Sequence, residues 1–419
     1  MRLFLGILFT CWCSILCAQS DTIRWTELSP MPDSRQLNGC GYYLIDSDFY
    51  VAGGWMGSSS ATSSSVWRYH IPTDIWYEMG HLPFGGASSN GYFTIKGMGY
   101  FLIATDSTRN GDCDRQFWEY NPDVDIWTKK ADFPDSPRQE SSCFVYNDKG
   151  YVGQTYGCLV ADNHFWSYDP VTNLWNQIAS LPTSIELRST AISVSSGLAL
   201  LFGGQDGNAN FYNNIWQYNI SVNTWQNIGH IPGLGRELTV IWGLDSILLV
   251  GGGVMVDSHS NIYLANDFYK YNYTQNTWTP VVFQNSFDST AFGAAFVYNK
   301  RGYYFGGASS YLQPTISNKM WTFDASKYIH DTGVGINDVK ADVEFQVYPN
   351  PLRHEQTLTI STSESGEIYF YDALGRVLHD CKVIHGVNSI RLTTNDDVVF
   401  YRATLGHGEI KNGKVVFIR

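Results

Sequence analysis

A pair of aromatic residues two positions apart recurs along the chain, at Trp67/Tyr69, Trp118/Tyr120, Trp166/Tyr168, Trp216/Tyr218, Tyr269/Tyr271 and Trp321/Phe323. In the first five copies a further Trp follows the second aromatic by seven residues: Trp76, Trp127, Trp175, Trp225 and Trp278. In the sixth copy His330 stands in that place, and the missing Trp has its counterpart at the other end of the chain, Trp25. From Trp25 to Trp278 the spacing stays between 48 and 53 residues, and Pro32, Pro83, Pro134, Pro182 and Pro232 each lie seven residues beyond one of these tryptophans. A period of about fifty residues marks an array of supersecondary units, none of which can bury its apolar face alone.

Ahead of the aromatic pair, four copies carry an apolar run ending in a glycine pair: Gly53-Gly54, Gly203-Gly204, Gly251-Gly252 and Gly306-Gly307. Glycine pairs followed by the spaced Tyr and Trp resemble the kelch repeat, and the resemblance implies a β-propeller with one four-stranded sheet per repeat. The second and third copies depart from it, with Ile103-Ala104 and Gln154-Thr155 in the glycine slots. Less tight turns are expected there. Runs such as residues 198–201 and 247–250 are apolar throughout, as inner strands covered on both faces require. The regular spacing of the Trp and Tyr rings makes them core residues packed between blades rather than a ligand-stacking surface.

A ring of repeats must join its last blade to its first. The sixth repeat supplies three strands, around residues 294–297, 302–305 and 320–323, and residues 21–31 with Trp25 are expected to complete it as the outer strand, removing an exposed edge. Residues 21–325 thus read as a six-bladed kelch-type propeller closed by its N-terminal strand. In residues 326–342 the periodic aromatics vanish, which suits a linker. Residues 343–419 alternate apolar and polar over several short strands, at 358–360, 368–371, 389–392, 398–401 and 415–418, the pattern of a small immunoglobulin-like β-sandwich. The fold class is all-β.

Both ends of the chain carry address-like features. Arg2, the apolar run from Leu3 to Cys17 and Ala18-Gln19 read as a secretory signal peptide cleaved after Ala18, too short a run for a membrane span. At the other end, Val347-Tyr348-Pro349-Asn350-Pro351, the turn Leu374-Gly375-Arg376 and the closing stretch from Gly413 to Arg419 resemble the C-terminal sorting domain of type IX secretion substrates. Residues 398–401 depart from that family, which usually has a glycine shortly before the Tyr. The resemblance implies a Bacteroidota-type source, export through the outer membrane by the type IX machinery, and a protein that is secreted or displayed on the cell surface.

Removal of the leader leaves Cys40, Cys113, Cys143, Cys158 and Cys381. An exported chain permits disulfides; Cys143 with Cys158 could bridge neighbouring strands of the third blade, or the cysteines are buried thiols. No CxxC spacing points to zinc. A net charge of -12 argues against nucleic acid or an anionic membrane as partner.

No serine-hydrolase elbow, zinc-protease helix or nucleotide-binding glycine loop occurs, the histidines are scattered, and no cofactor is implied. What remains is the ring of loops around the channel mouth. Arg188 and Arg236 each lie fifteen residues before their glycine pair, Arg138 falls within one residue of that register, and Arg35 lies three residues earlier in its repeat. Several guanidinium groups at one mouth would suit a carboxylate or sulfate; alternatively they pair with the nearby Glu140, Glu186 and Glu237. Trp55 and Tyr212 stand outside the aromatic register and are candidate contact residues. The candidate ligand-binding set is therefore Arg138, Arg188, Arg236, Glu237, Trp55 and Tyr212. A binding protein for a glycan or a protein partner is the leading reading. The kelch resemblance also implies an alternative, a carbohydrate-active enzyme: a sialic-acid mutarotase, needing an Arg and an acid at the mouth, or a galactose oxidase, needing copper held beside a Tyr-Cys crosslink.

Overall fold

The computed structural model describes residues 21–33, 37–56, 61–106, 114–135, 138–139, 141–157, 162–182, 190–194, 197–206, 208, 210–257, 259–284, 291–308, 317–329, 345–348, 352–353, 357–362, 365–372, 376–384, 386–394, 396, 398–405 and 409–418. The chain divides into two compact units, Met1–Ile336 and Asn337–Arg419. Among the described residues no helix is long and apolar enough to cross a membrane.

Among the described residues the first unit contains six sheets of the expected kind, each with four strands running antiparallel to their neighbours. Blade one is formed by Gly41–Ile45, Asp48–Ala52, Ser65–His70 and Ile75–His81. Blade two is Ala87–Ile95, Met98–Asp106, Phe117–Asn121 and Ile126–Lys129. Blade three runs Ser142–Tyr146, Lys149–Gly157, Asp162–Asp169 and Leu174–Ile178. Blade four comprises Thr190–Val194, Leu198–Gln205, Phe211–Asn219 and Thr224–His230. Blade five has Val240–Leu244, Ile247–Gly251, Phe268–Asn272 and Thr277–Gln284. Blade six takes Ala291–Tyr298, Arg301–Ala308 and Met320–Asp324 from the end of the unit and Thr26–Leu28 from its beginning.

Each blade shares one apolar cluster with the next, and the clusters close a ring. Tyr43 and Tyr50 of blade one pack with Phe101 and Tyr120 of blade two, and Phe93 and Phe117 of blade two with Val152 and Tyr168 of blade three. Phe144 and Phe165 meet Leu201 and Tyr218, Phe202 and Ile215 meet Leu248 and Tyr271, and Trp242 and Phe268 meet Tyr304 and Phe323. The last cluster joins Tyr303 and Phe305 of blade six to Phe49 and Tyr69 of blade one. The repeated aromatics are therefore the interblade core.

The glycine slots serve this packing. Gly53 and Gly203 have φ of 68° and 61°, and a Cβ on them would meet the carbonyl oxygens of Ala87 and Arg236, in the following blade, at 2.4 and 2.2 Å. Glycine lets the next blade's backbone close onto the strand. The second strand runs past this point through register shifts in blades two and three, which lack the pair, at Leu102/Ile103/Thr105 and Gly153/Thr155, and in blade four, which has it, at Phe202/Gly204.

A further device recurs at each seam. Five residues after the second aromatic stands an Asp or Asn with left-handed φ: Asp74, Asp125, Asn173, Asn223 and Asn276. Each accepts the hydroxyl of its own Tyr (Tyr69, Tyr120, Tyr168, Tyr218, Tyr271) at 2.6–3.0 Å. The same side chains reach into the preceding blade, accepting the N–H of Ser29, Gly80, Ala131 and Ala179, while Asn276 donates to the Ile228 carbonyl. Asp and Asn tolerate left-handed backbone and so fit this place. Burial pushes the Tyr218 hydroxyl up to about 12, which keeps it a donor. Trp76, Trp175 and Trp225 add an indole bond to the carbonyls of Ser29, Ala131 and Ala179. Each clasp contributes about 1 kcal/mol per bond.

The sixth repeat cannot build this clasp, because Phe323 and Tyr328 occupy the Tyr and Asx places. The N-terminal segment takes over. It is not the one strand expected but two: Thr26–Leu28 pairs antiparallel with residues 320–322 of blade six, and Asp21–Arg24 pairs parallel with residues 281–284 of blade five. Trp25, between them, is 3% exposed and packs on Trp242, Phe283 and Phe323. The strap thus bridges the only clasp-less seam among the described residues.

In the second unit, three- and five-stranded sheets share one core, with Leu358, Ile360 and Ile390 from one and Phe370, Val399, Ala403 and Phe417 from the other. Alternate residues of Leu358–Thr362 are buried, as a sheet covered on one face requires.

Candidate functional site

In every blade the first strand begins, and the second ends, at the same end of the sheet. The connections between blades and those leading to the third strand therefore open on one face. On this face the chain adds short ribbons above the blades: Leu37–Asn38 pairs with Trp55–Met56, Arg138–Gln139 with residues 156–157, and Arg236–Glu237 with residues 254–255. The register noticed for the arginines is thus real at the level of backbone for Arg138 and Arg236.

Two loops of this face are pinned by an aspartate. In blade four Asp206 Oδ1 accepts the N–H groups of Asn208 and Asn210, while Oδ2 accepts the Asn210 amide and the Tyr212 hydroxyl, each at 2.9 Å. Burial alone would raise the Asp206 carboxyl, but these donors outweigh it and hold it below the usual carboxylate range. In blade five Asp257 accepts the N–H of His259 and Asn261 and the Asn261 amide in the same pattern. The sequence signal is Asp-x-x-x-Asn at residues 206–210 and 257–261. Locked inward at the aspartate, the loops leave Asn208, His259 and Tyr263 exposed.

The arginine reading changes. Arg236 is fully buried, and its guanidinium is bidentate to Asp267, at 2.7 and 2.9 Å, with a further bond to the Pro232 carbonyl. Asp267 is one-third exposed, with its side chain at 34%. Desolvation raises it, but the Arg236 bonds and charge, with the Tyr269 hydroxyl, carry it below the ordinary value. Glu237 is likewise fully buried. Neither residue presents surface to a ligand, so the assignment of Arg236 and Glu237 as contacts is corrected to a structural one. The salt-bridge alternative also needs amending, because the partner of Arg236 is an Asp from the edge of the third strand, thirty-one residues on. Arg188, Glu186, Glu140 and Arg35 lie outside the described residues, as does the side chain of Arg138. The mutarotase-like arrangement loses two of the groups it was to use.

Tyr212 is half-buried, and its hydroxyl holds the blade-four loop through Asp206 rather than facing solvent. Trp55 is half-buried opposite Asn38, beside Gly39, whose Cβ would lie 3.3 Å from the indole; it remains partly open on this face. Cys143 donates its thiol toward the Ser141 carbonyl, and Cys158 lies outside the described residues. Cys40 is buried, with its thiol pushed up to about 12 by desolvation. Among the described residues no group of three or more His, Cys, Asp or Glu could hold a metal ion.

Comparison with known proteins agrees with the sheets. A family model of the attractin/LZTR1 β-propeller matches residues 101–309, and a kelch-motif model matches residues 39–83. The solved structure of YjhT is similar at a TM-score of 0.58 and 13% sequence identity, over 70% of this chain and 96% of that one. The repeat, the ring of sheets and these matches make the fold a kelch-type β-propeller.

Proposed function

We propose that this kelch-type propeller is an exported binding protein that recognises a glycan or a protein through its loop face. The observation that carries the reading is the pair of pinned loops at Asp206 and Asp257, which hold Asn208, His259 and Tyr263 outward on fixed backbone. Rigid loops lose less entropy on binding than mobile ones, and polar and aromatic groups on such loops suit sugar hydroxyls or a protein surface. A fold of this kind does not set its ligand; the loops do.

Export rests on the two ends of the chain. The leader-like segment at residues 1–18 would direct the chain across the inner membrane, and residues 343–419 would serve as the type IX address. The tail's own apolar core supports a separately folding module. Of the sorting-like motifs, Val347 and Tyr348 end the strand Phe345–Tyr348, and residues 413–418 lie in the strand Glu409–Ile418. The mature protein would then be released or held at the cell surface.

A glycan array combined with capture of surface proteins from the same cells tests the binding reading. The double variant Asp206→Ala/Asp257→Ala should lose most of the signal while the propeller still melts cooperatively. Undiminished binding by a variant with both loops released would overturn the assignment to this face.

A further inference from the structure

In the second unit, the five-stranded sheet ends in the strand Val377–Val383. It pairs with Gly366–Tyr371 on one side and, among the described residues, with no strand on the other. Alternate N–H and C=O groups of such an edge point outward unpaired, a template for another strand. Cys381 and Val383 pack on the core of this unit, and the His379 ring centre lies 6.3 Å from that of Phe370. By the period of two, Leu378, Asp380 and Lys382 stand on the opposite face, and all three are exposed. Leu378 and, just past the strand, Ile384 are large apolar side chains left 40% and 66% exposed.

Asp380 and Lys382 form no ion pair among the described residues. Within its own sheet Lys382 stands across from Glu367, whose carboxylate accepts the Tyr369 hydroxyl at 3.3 Å, and Asp380 stands across from Tyr369. A lone Lys on an edge wards off incoming strands. An Asp two residues before it makes this edge complementary to itself. A second copy that pairs antiparallel and keeps each face of the sheet continuous places one residue opposite its own counterpart at the two-fold axis. Centred on Asp380 or Lys382, the pairing sets like charges together; centred on His379, it sets Arg376 against Lys382. Centres nearer either end pair only part of the strand, and Arg376 is already held by Asp372. Centred on Cys381, Asp380 falls opposite Lys382 twice, Leu378 falls opposite Ile384 twice, and His379 meets Val383 on the core side.

We propose that Val377–Val383 is a dimerisation edge, at which a second copy of this chain pairs antiparallel about Cys381. Opposite charges directly across a strand pair stabilise it, and like charges weaken it. One strand pair with a few side chains buries little surface, so the dimer is reversible. Two chains joined in this way carry two propellers, and two loop faces on one assembly hold a multivalent surface more tightly than either alone. The pairing itself does not depend on what those faces bind.

Sedimentation velocity on the full chain in reducing buffer, over a range of concentrations, reads the equilibrium between monomer and dimer. Asp380→Lys sets ammonium against ammonium at both pairs and Lys382→Asp carboxylate against carboxylate, so each should weaken the dimer about tenfold or more. Asp380→Lys/Lys382→Asp exchanges the charges and should restore it. Mixing the two single variants should give a heterodimer, and this decides the matter should the double variant fail to fold. Hydrogen exchange at residues 377–383 should slow as the parent dimerises. Asp206→Ala/Asp257→Ala should dimerise as the parent does, so this reading and that of the loop face can fail separately. A chain that stays monomeric at every concentration overturns the proposal, as does a dimer indifferent to both single changes or one without protection at residues 377–383. Loss of the dimer in the single variants with no recovery in the double variant or the mixture overturns the pairing about Cys381.

Discussion

Trp25→Ala should unfasten the seam between blades five and six. At every other seam described, an Asx clasp ties a blade to its predecessor; here the tie is the strap at residues 21–28, and Trp25 is its anchor. The indole is 3% exposed, and its ring centroid lies 5.7, 5.0 and 4.9 Å from those of Trp242, Phe283 and Phe323. Removing a buried Trp costs about 3–5 kcal/mol, and aromatic pairs on three sides place this one near about 4. For a unit ending at Ile336, an unfolding entropy of about 2.1 cal/mol/K per residue amounts to roughly 0.7 kcal/mol/K, so the melting temperature should fall by about 6 °C. Calorimetry at several scan rates measures this while exposing irreversibility. Hydrogen exchange should speed up at residues 21–28 and 281–284 first. A melting temperature within about 1 °C of the parent, or a strap whose amides stay protected, would refute the reasoning.

Asn223→Ala removes the bonds from the Tyr218 hydroxyl and the Ala179 N–H and leaves a Cβ residue at φ 55°, a loss of about 2–3 kcal/mol by urea denaturation. Asn223→Asp should cost much less, since Asp74 and Asp125 hold the same place elsewhere. Arg236→Gln breaks a largely buried ion pair and should cost roughly 3 kcal/mol at neutral pH. Because Arg236 keeps Asp267 below its unfolded value of about 3.9, the stability it lends is complete above about pH 4 and is lost as pH falls through the folded value. The gap between parent and variant should narrow on acidification below about pH 4, and a gap constant from pH 7 to 3 would speak against it. Residues 343–419, fused behind a leader and a neutral cargo, should carry that cargo outside a type IX-competent cell; retention in the periplasm counts against the tail as an address.

The ring was legible because its core is periodic. An aromatic at a fixed spacing must do the same work in each copy, and the Trp absent at His330 but present as Trp25 announced closure from the N-terminus. The clasping Asx was equally periodic, five residues after each Tyr, yet it reads as ordinary turn chemistry until its partner in the previous blade is seen. The second strap strand escaped because parallel pairing at a sheet edge leaves no local pattern; Asp21–Arg24 matches residues 281–284 only through space. Arg236 was misplaced for a related reason. Sequence proximity to Glu237 suggested the partner, whereas Asp267 arrives from the edge of another strand and seals the guanidinium inside. Site residues depend on such distant meetings, and core residues of a repeat do not.

The central claim is that ligand recognition belongs to the face carrying the pinned loops. Hydrogen–deuterium exchange on the full chain, with and without the strongest ligand from the array, tests it most directly. Protection should appear at residues 206–212 and 257–263, extending to residues 55–56, with the strap and the tail unchanged. Protection confined to the opposite turns or to residues 345–418, with these loops unaffected, would contradict it.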